Sequence, residues 1–166
     1  MNELPRSLKW ITVWLLLGTA VFLGAQAMLR ERAKPLIELQ AGQVTLLRAA
    51  DGHYHWPGQV NGQPVDFLVD TGATRSTLPG ALAERLSLPR GEPVQSQTAA
   101  GPADGWRATV DLQLQGGPQV QRLPVVVMPG MQSPPLLGMD VLGRLRLEQS
   151  DGRLVLSAPA ATREPG

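Results

Sequence analysis

The amino-acid sequence predicts a mostly β protein with one or two short helices. Aromatic residues make up only 4% of the 166 residues, whereas Gly (18) and Pro (15) are plentiful, and this composition suits short strands and turns better than a helical bundle. Residues 109–114 alternate between polar and apolar side chains, which is typical of a half-buried strand. Because the chain is long enough for one modest core but not for two, we expect one small closed β-barrel or sandwich.

Residues 1–29 differ in composition from the rest, and we expect an N-terminal transmembrane helix or a signal segment there. Residues 10–29 contain no charged residue, and about 20 such residues are enough to cross a bilayer as a helix. Arg6 and Lys9 precede this run, and Ala25-Gln26-Ala27 resembles a cleavage site, so a cleaved secretory signal stays open as the alternative. Basic residues on both sides of the run leave the orientation undecided.

The segment after the apolar run leads into the folded domain. Residues 30–42 are charged and are interrupted by Pro35 and Gly42, which is typical of a tether. The domain is expected to cover residues 43–157. The last residues, 158–166, are rich in Ala and Pro and are expected to form a disordered tail.

The domain itself is expected to consist of short strands joined by hairpins. A first strand covers residues 43–49, and Asn61-Gly62 lies between two apolar runs, which is a strong signal for a β-hairpin. Asp151-Gly152 is a second signal of the same kind and closes the chain with another hairpin. The other expected elements are a short helix within 78–88, a long hairpin formed by 92–99 and 106–115, a buried strand at 122–130, and an apolar run with a turn of helix within 134–145.

Composition and charge argue against several classes of function. The net charge is +1, with 17% charged residues and no long basic run, so no nucleic-acid partner is expected. The absence of Cys excludes disulfides, zinc ribbons and thiol nucleophiles. Ser76, Thr77 and Ser87 have no nearby His that would activate them as nucleophiles, so a serine hydrolase is poorly supported.

Asp51, His53 and His55 are the residues most compatible with a metal site. They alternate along one expected strand and therefore share a face, and this spacing could hold a metal. No fourth protein ligand is evident, and an exposed strand face is the preferred interpretation. We therefore expect neither a metal nor a cofactor.

The strongest chemical signal is an aspartate at the end of an apolar strand. Phe67, Leu68 and Val69 lead directly into Asp70, so the carboxylate emerges from surroundings that disfavour its charged form. Hydrolysis of a peptide needs a base to activate water and an acid to protonate the departing group. Two carboxyl groups that share one proton can do both.

Asp70 opens the first of three motifs that follow one another in the sequence. Asp70-Thr71-Gly72-Ala73 follows an apolar strand, Ala100 and Gly101 lie in a hairpin tip rich in Gly and Pro, and Leu136-Leu137-Gly138 opens a short helix. In this order the motifs resemble the active-site loop, the flap and the loop beneath the active site of the retropepsin-like aspartic proteases, the family of the retroviral proteases and their bacterial relatives. The resemblance runs from about residue 59 to residue 157.

The resemblance implies an aspartic endopeptidase with a polypeptide substrate and a small closed barrel of the single-lobe acid protease type. Pepsin-like enzymes carry two such triplets in a chain of two lobes, whereas this chain has one, so the second Asp70 would come from another copy in a C₂ homodimer. Water would attack directly between the two carboxylates, without a covalent intermediate. Thr71 would connect the two loops across the axis, Gly72 would keep the turn tight, and Gly101 would give the flap its mobility.

Other interpretations stay open beside this one. A non-catalytic peptide-binding or assembly module with the same fold is the alternative function, because one carboxyl group per chain is inert unless the dimer forms. Asp140 lies at an expected helix start and is interpreted as a helix cap, and Trp106 either lines the substrate pocket or anchors its hairpin. The resemblance fits a bacterial inner-membrane protein that crosses once, with the protease domain expected in the periplasm.

Overall fold

The computed structural model describes residues 10, 14–24, 37–40, 42–98 and 101–159. The chain divides into two units, Met1–Lys34 and Pro35–Gly166. In the first unit residues 14–24 are helical, and the described residues include no helix long and apolar enough to cross a membrane. The rest of the expected anchor and most of the expected tail lie outside the described residues.

In the second unit the described residues form eleven strands and two short helices, so the mostly β prediction is confirmed. The strands are β1 (Ile37–Gln40), β2 (Gln43–Leu47), β3 (His55–Val60), β4 (Gln63–Val69), β5 (Thr77–Pro79), β6 (Pro93–Thr98), β7 (Gly101–Leu114), β8 (Gln119–Met128), β9 (Leu136–Leu137), β10 (Arg146–Ser150) and β11 (Arg153–Ser157). The helices are α1 (Gly80–Arg85) and α2 (Met139–Leu142).

The larger sheet has seven strands in the order β3-β4-β9-β5-β8-β7-β6, and β7 also pairs with β3. The pairing of β3 with β7 joins Gly58 to Leu114 and Val60 to Leu112. Strand β7, the sixth in this order, therefore pairs with β3, the first. Strand β4 pairs in parallel with β9, and β5 pairs in parallel with β8. The parallel pairing places the end of β4 beside the end of β9, where the residues of the candidate site meet.

The smaller sheet is antiparallel and has four strands in the order β1-β2-β11-β10. Strand β1 lies within residues 30–42, which were expected to form a tether, so the folded unit begins before residue 43. Gly42 adopts a φ of 78°, a conformation that glycine accepts without strain. It therefore lies at a turn between β1 and β2 rather than at the end of a flexible segment.

Both predicted hairpin turns are present. Asn61 and Gly62 have φ values of 50° and 78°, and Asp151 and Gly152 have values of 47° and 74°. Positive φ at both central residues is the requirement of the type I′ turn, whose twist matches that of the flanking strands. The turns set the registers of the hairpins β3–β4 and β10–β11.

The core is built from alternate residues of the long strands. Val110, Leu112 and Leu114 are buried and the residues between them are exposed, which confirms the alternation predicted for β7. Trp56 and Phe67 are paired across β3 and β4 and are almost completely buried. Burial of this apolar surface is the main favourable term in folding, and it holds β4 in place beneath the candidate site.

Candidate active site

Asp70 lies directly after β4, where the chain leaves the sheet. The pairing of β4 with β9 aligns Val69 with Leu137, and the Asp70 N–H donates to the Leu137 carbonyl at 3.0 Å. The sheet thus fixes the backbone that carries the carboxylate, while the half-buried side chain lines a groove. An acid held in this way has the fixed position that general acid–base catalysis requires.

The residues after Asp70 form a turn around its carboxylate. The Gly72 N–H donates to Asp70 Oδ1 at 2.8 Å, and the Ala73 N–H donates to the Asp70 carbonyl at 3.2 Å. A Cβ atom at Gly72 would lie 3.2 Å from Asp70 Oδ1, and this crowding, rather than a left-handed φ, favours glycine here. Thr71 is exposed, and its hydroxyl makes no hydrogen bond within the described part of the chain.

Gly138 allows helix α2 to begin directly beneath the active-site loop, which we define as residues 70–76. A Cβ atom at Gly138 would lie 2.5 Å from the carbonyl carbon of Arg75 and 2.8 Å from its oxygen. Such contacts with backbone atoms leave room for glycine alone at this position. The Met139 N–H also donates to the Ala73 carbonyl at 2.8 Å, so the loop and the helix are joined by a hydrogen bond.

Asp140 is a second link between the active-site loop and α2. Both of its carboxylate oxygens accept from the Ser76 N–H at 3.0 Å, and Oδ1 accepts from the Ser76 hydroxyl at 2.8 Å. Ser76 Oγ in turn accepts from the Gly138 N–H at 3.1 Å. Gly138 is the N-cap residue of α2, and Asp140 lies in the first turn. Asp140 Oδ1 also accepts from the Val141 N–H at 3.0 Å, so the carboxylate caps a backbone N–H at the helix start, as predicted. The sequence did not predict that the same carboxylate also binds the buried Ser76 of the active-site loop.

Strands β6 and β7 form the hairpin that was predicted as the flap. Thr98 pairs with Gly101 at the end of this hairpin. Gly101 adopts a φ of 110°, a conformation that favours glycine. Ala100, the other predicted flap residue, lies outside the described residues.

Trp106 anchors the hairpin on the core. Its side chain is 8% exposed and packs among core residues, and it does not line the groove. The guanidinium carbon of Arg90 lies 4.4 Å from the centre of its ring, which is a cation–π contact. Of the two interpretations of Trp106, the structure therefore supports the anchor.

A groove of about 1160 Å³ lies between the active-site loop, strands β6 and β7 and the end of β8, and Asp70 is one of the residues that line it. Pockets for small molecules measure about 300–1,000 Å³, so this groove has room for an extended ligand. Its lining residues are Asp70, Gly72, Ala73, Thr74, Arg75, Thr77, Val94, Gln95, Ser96, Gln97, Ala103, Asp104, Arg107, Val126, Met128, Gly130, Met131, Gln132, Ser133 and Leu136.

His55 lies outside this groove, buried between two aspartates. Its Nε2 atom is 2.8 Å from a carboxylate oxygen of Asp51, and its Nδ1 atom is 3.2 Å from one of Asp66. The backbone N–H of His53 lowers the pKa of Asp51 most, and the hydrogen bond with His55 lowers it further. Burial raises the pKa of Asp66, and His55 opposes that shift.

The expected exposed face with Asp51, His53 and His55 is not present. Strand β3 begins at His55, so Asp51 and His53 precede it in a turn. His55 is buried rather than exposed, because its ring fits between the two carboxylates. The described residues contain no group of three His, Cys, Asp or Glu side chains that could hold a metal ion.

The structure places Gly138 against the loop that contains Asp70 and Gly72, but sequence reasoning missed Ser76. This serine was considered only as a nucleophile, whereas it is 1% exposed and hydrogen-bonded to Asp140. The two residues are 64 positions apart, so no local pattern connects them. The available signal was the position of Ser76 in a loop expected to pack against the helix that contains Asp140.

The family described as "gag-polyprotein putative aspartyl protease" has a model that matches residues 56–144, more than half of the chain. The chain therefore belongs to this family of aspartyl proteases. The matched region includes residues 70–76, the β6–β7 hairpin and residues 136–138. A comparison with curated protein sequences gives no match.

Solved structures of retropepsin-like proteases are similar to this chain. The crystal structure of a retropepsin-like aspartic protease from Rickettsia conorii has 24% sequence identity and a TM-score of 0.57, and the similarity covers 75% of this chain and 95% of that chain. EIAV protease complexed with the inhibitor HBY-793 has 24% identity and a TM-score of 0.46, with coverages of 57% and 88%. The retroviral protease-like domain of Ddi1 from Leishmania major has 18% identity and a TM-score of 0.44, with coverages of 68% and 98%. The Rickettsia structure supports a retropepsin-like fold, and the match to the aspartyl protease family model confirms the predicted family.

Proposed function

We propose that this protein is an aspartic endopeptidase, which hydrolyses peptide bonds with water activated between the two Asp70 carboxylates of a homodimer. The observation that carries the proposal is the position of Asp70 at the edge of a large groove, with its backbone held by Leu137 and its carboxylate held by Gly72. Membership of an aspartyl protease family supports the same chemistry. The return of the strand order from β7 to β3 supports the single-lobe closed barrel expected for such an enzyme.

The homodimer supplies the second carboxyl group that the chemistry needs. A residue beside a two-fold axis meets its own equivalent, so the two Asp70 side chains would face each other, and a facing pair of carboxyl groups can supply one base and one acid. One Asp70 then acts as the base towards water, and its partner acts as the acid towards the scissile carbonyl. The exposed Thr71 hydroxyl, without a hydrogen-bond partner in the described residues, supports a role for Thr71 in joining the two loops.

The substrate is proposed to be an extended segment of polypeptide. The groove exceeds the usual volume of a small-molecule pocket, and two strands of the flap hairpin contribute to its lining. Main-chain groups of such a hairpin can hold a peptide by strand-like pairing. The flap would move to admit the substrate and close over it.

Cleavage of a peptide library by the full chain and by its Asp70→Asn variant tests the proposal. Loss of one catalytic carboxyl group from each protomer is expected to reduce kcat/KM by about 10²–10⁴-fold. Asp151→Asn is the matched control, because it makes the same chemical change in the β10–β11 turn, away from the groove. Equal cleavage by the wild type and Asp70→Asn would contradict the proposal. Tight peptide binding without cleavage by the wild type would favour the non-catalytic module.

Subunit mixing tests the proposed homodimer. In an equal mixture of wild-type and Asp70→Asn chains that exchange freely, about one quarter of the dimers keep both aspartates. The activity per wild-type chain should therefore fall to about half, whereas an equal mixture with Asp151→Asn chains should keep the wild-type activity per total chain. An enzyme that works as a monomer would keep the full activity per wild-type chain in the mixture with Asp70→Asn.

We also propose that the N-terminal segment anchors the protein in a bacterial inner membrane, with the protease domain in the periplasm. The uncharged run at residues 10–29 supports this proposal. Its described helical part exposes apolar side chains, which are Trp14, Leu15, Leu16, Leu17, Val21, Phe22 and Leu23. Membrane fractionation together with mass spectrometry of the N-terminus provides the test. Recovery of a shortened chain in the soluble fraction would favour the cleaved signal instead.

A further inference from the structure

Arg75 is the basic residue of the active-site loop, and its backbone is fixed in place. It lines the same groove as Asp70. Its carbonyl oxygen accepts from the Thr77 hydroxyl at 3.2 Å, and its carbonyl group lies against Gly138. The exposed side chain therefore extends from a rigid part of the loop.

The guanidinium of Arg75 forms no ion pair with any described residue of the chain. The other charged side chains of the groove besides Asp70 already have partners. Arg107 lies 3.8 Å from Glu92, and the carboxylate of Asp104 accepts from the Gln95 amide at 3.4 Å. Arg75 is thus the arginine of the groove whose positive charge has no ion-pair partner among the described residues.

We infer that Arg75 makes the groove selective for peptides with an acidic side chain close to the scissile bond. This inference rests on the proposed function, since it concerns the substrate of the same site. A guanidinium presents its N–H groups in a planar fork that fits a carboxylate through two parallel hydrogen bonds. Arg75 lies in the same loop as Asp70, so an acidic residue bound to it lies close to the bond that is cut. The apolar lining residues Val126 and Leu136 favour apolar side chains elsewhere in the peptide.

Pools of short peptides test the inference, each pool with Glu, Gln or Lys fixed at one position and with the other positions randomised. The ratio of kcat/KM for Glu to that for Gln, its neutral isostere, is the readout. For the wild type this ratio should reach about tenfold at one position at least, and it should shrink at high ionic strength. In Arg75→Gln the ratio should fall to about one. In Arg75→Glu the pools with Lys should become the better substrates.

Arg144→Gln is the matched control, because Arg144 is an exposed arginine without an ion pair in the described residues and lies outside the groove. The same loss of charge there should leave the ratio of Glu to Gln at its wild-type value. A ratio that survives in Arg75→Gln, or that falls equally in both variants, would overturn the inference.

Binding measurements separate failure of this inference from failure of the proposed function. The same peptide pools are fluorescently labelled and titrated with the Asp70→Asn chain and with the double variant that carries both Asp70→Asn and Arg75→Gln. Cleavage by the wild type without any preference for Glu would overturn the inference alone. Absence of cleavage, together with a preference for binding Glu that Arg75→Gln abolishes, would overturn the proposed enzyme and uphold the role of Arg75. Absence of both would overturn both.

Discussion

Asp140 and Ser76 form a three-contact link between the active-site loop and helix α2. The Ser76 N–H lies 3.0 Å from both carboxylate oxygens of Asp140, and the Ser76 hydroxyl lies 2.8 Å from one of them. Ser76 is 1% exposed, so its two donors have no access to water if the carboxylate is removed. A buried donor without a partner is costly, and Asp140 is therefore a structural residue of the site in addition to its hydrogen bond with the Val141 N–H in the first turn of α2.

Removal of the Asp140 carboxylate should destabilise the protein. In Asp140→Ala the Ser76 N–H and hydroxyl lose their acceptor, and we expect the free energy of unfolding to fall by about 2–4 kcal/mol. Asp140→Asn keeps one acceptor oxygen and should lose less. Urea denaturation of the full chain measures both, with Asp151→Asn as a surface control that changes by less than about 0.5 kcal/mol. An unchanged midpoint for Asp140→Ala would show that the link adds nothing to stability.

The substitution Gly138→Ala should push the active-site loop away from α2. The Cβ atom of Gly138→Ala would meet the carbonyl carbon and oxygen of Arg75 at 2.5 and 2.8 Å, and backbone atoms cannot rotate away as a side chain can. We expect a loss of about 1–3 kcal/mol in the free energy of unfolding.

Gly130→Ala is the control for this substitution in the same denaturation experiment. Gly130 has no atom within 4 Å of its virtual Cβ and no positive φ, so its replacement should leave stability unchanged or slightly increased. Equal midpoints for Gly138→Ala and Gly130→Ala would mean that the loop moves aside without cost.

Local features of the fold could be predicted from the sequence, because their causes are local. Asn61-Gly62 and Asp151-Gly152 adopt the positive φ values that a two-residue hairpin turn requires. The alternation at residues 109–114 matches the burial of β7 because side chains of a strand point alternately to opposite faces. The position of Asp70 directly after a strand was also predictable, because the apolar run of Phe67, Leu68 and Val69 ends at this residue.

Features that depend on distant partners could not be predicted in the same way. Strand β1 is only four residues long and gains its stability from pairing with β2, whereas charge and Pro35 indicated a tether. The contact of Asp140 with its own helix was predictable, whereas its contact with Ser76 was not, because these two residues are 64 positions apart. The contact of His55 with Asp66 follows from the β3–β4 register, which places these residues as diagonal neighbours on one face.

The substitution Gly72→Ala should lower the activity without a comparable loss of stability. The Cβ atom of Gly72→Ala would lie 3.2 Å from Asp70 Oδ1, so the carboxylate must shift by a few tenths of an ångström. The described surroundings offer no other contact within 4 Å, so the free energy of unfolding should change by less than about 1 kcal/mol. We expect kcat/KM for a cleaved peptide to fall about 10–100-fold, because catalysis depends on the position of the reacting groups. A loss of stability that accounts for the loss of activity would contradict this separation.

The two carboxylates beside His55 should give opposite contributions to the pH dependence of stability. The pKa of Asp51 is lowered from 3.8, so this group stabilises the fold above that pH, and the contribution is lost as pH falls through the folded pKa. Burial raises the pKa of Asp66 from the same value. Its contribution is therefore present below pH 3.8 and is lost as pH rises through the folded pKa.

Replacement of His55 should raise the pKa of both neighbours. His55→Phe keeps a ring of similar size but removes the hydrogen bonds and the positive charge that favour the two carboxylates. We expect the pKa of Asp66 to rise further above 3.8, and that of Asp51 to rise without reaching 3.8 because the His53 N–H still donates to it. Carbon-13 NMR of the carboxyl groups measures both, with His53→Phe as the control that leaves Asp66 unchanged. If the pKa of Asp66 stays the same in His55→Phe, the contact between Asp66 and His55 Nδ1 has no electrostatic effect. The stability of the fold around His55 would then depend on packing alone.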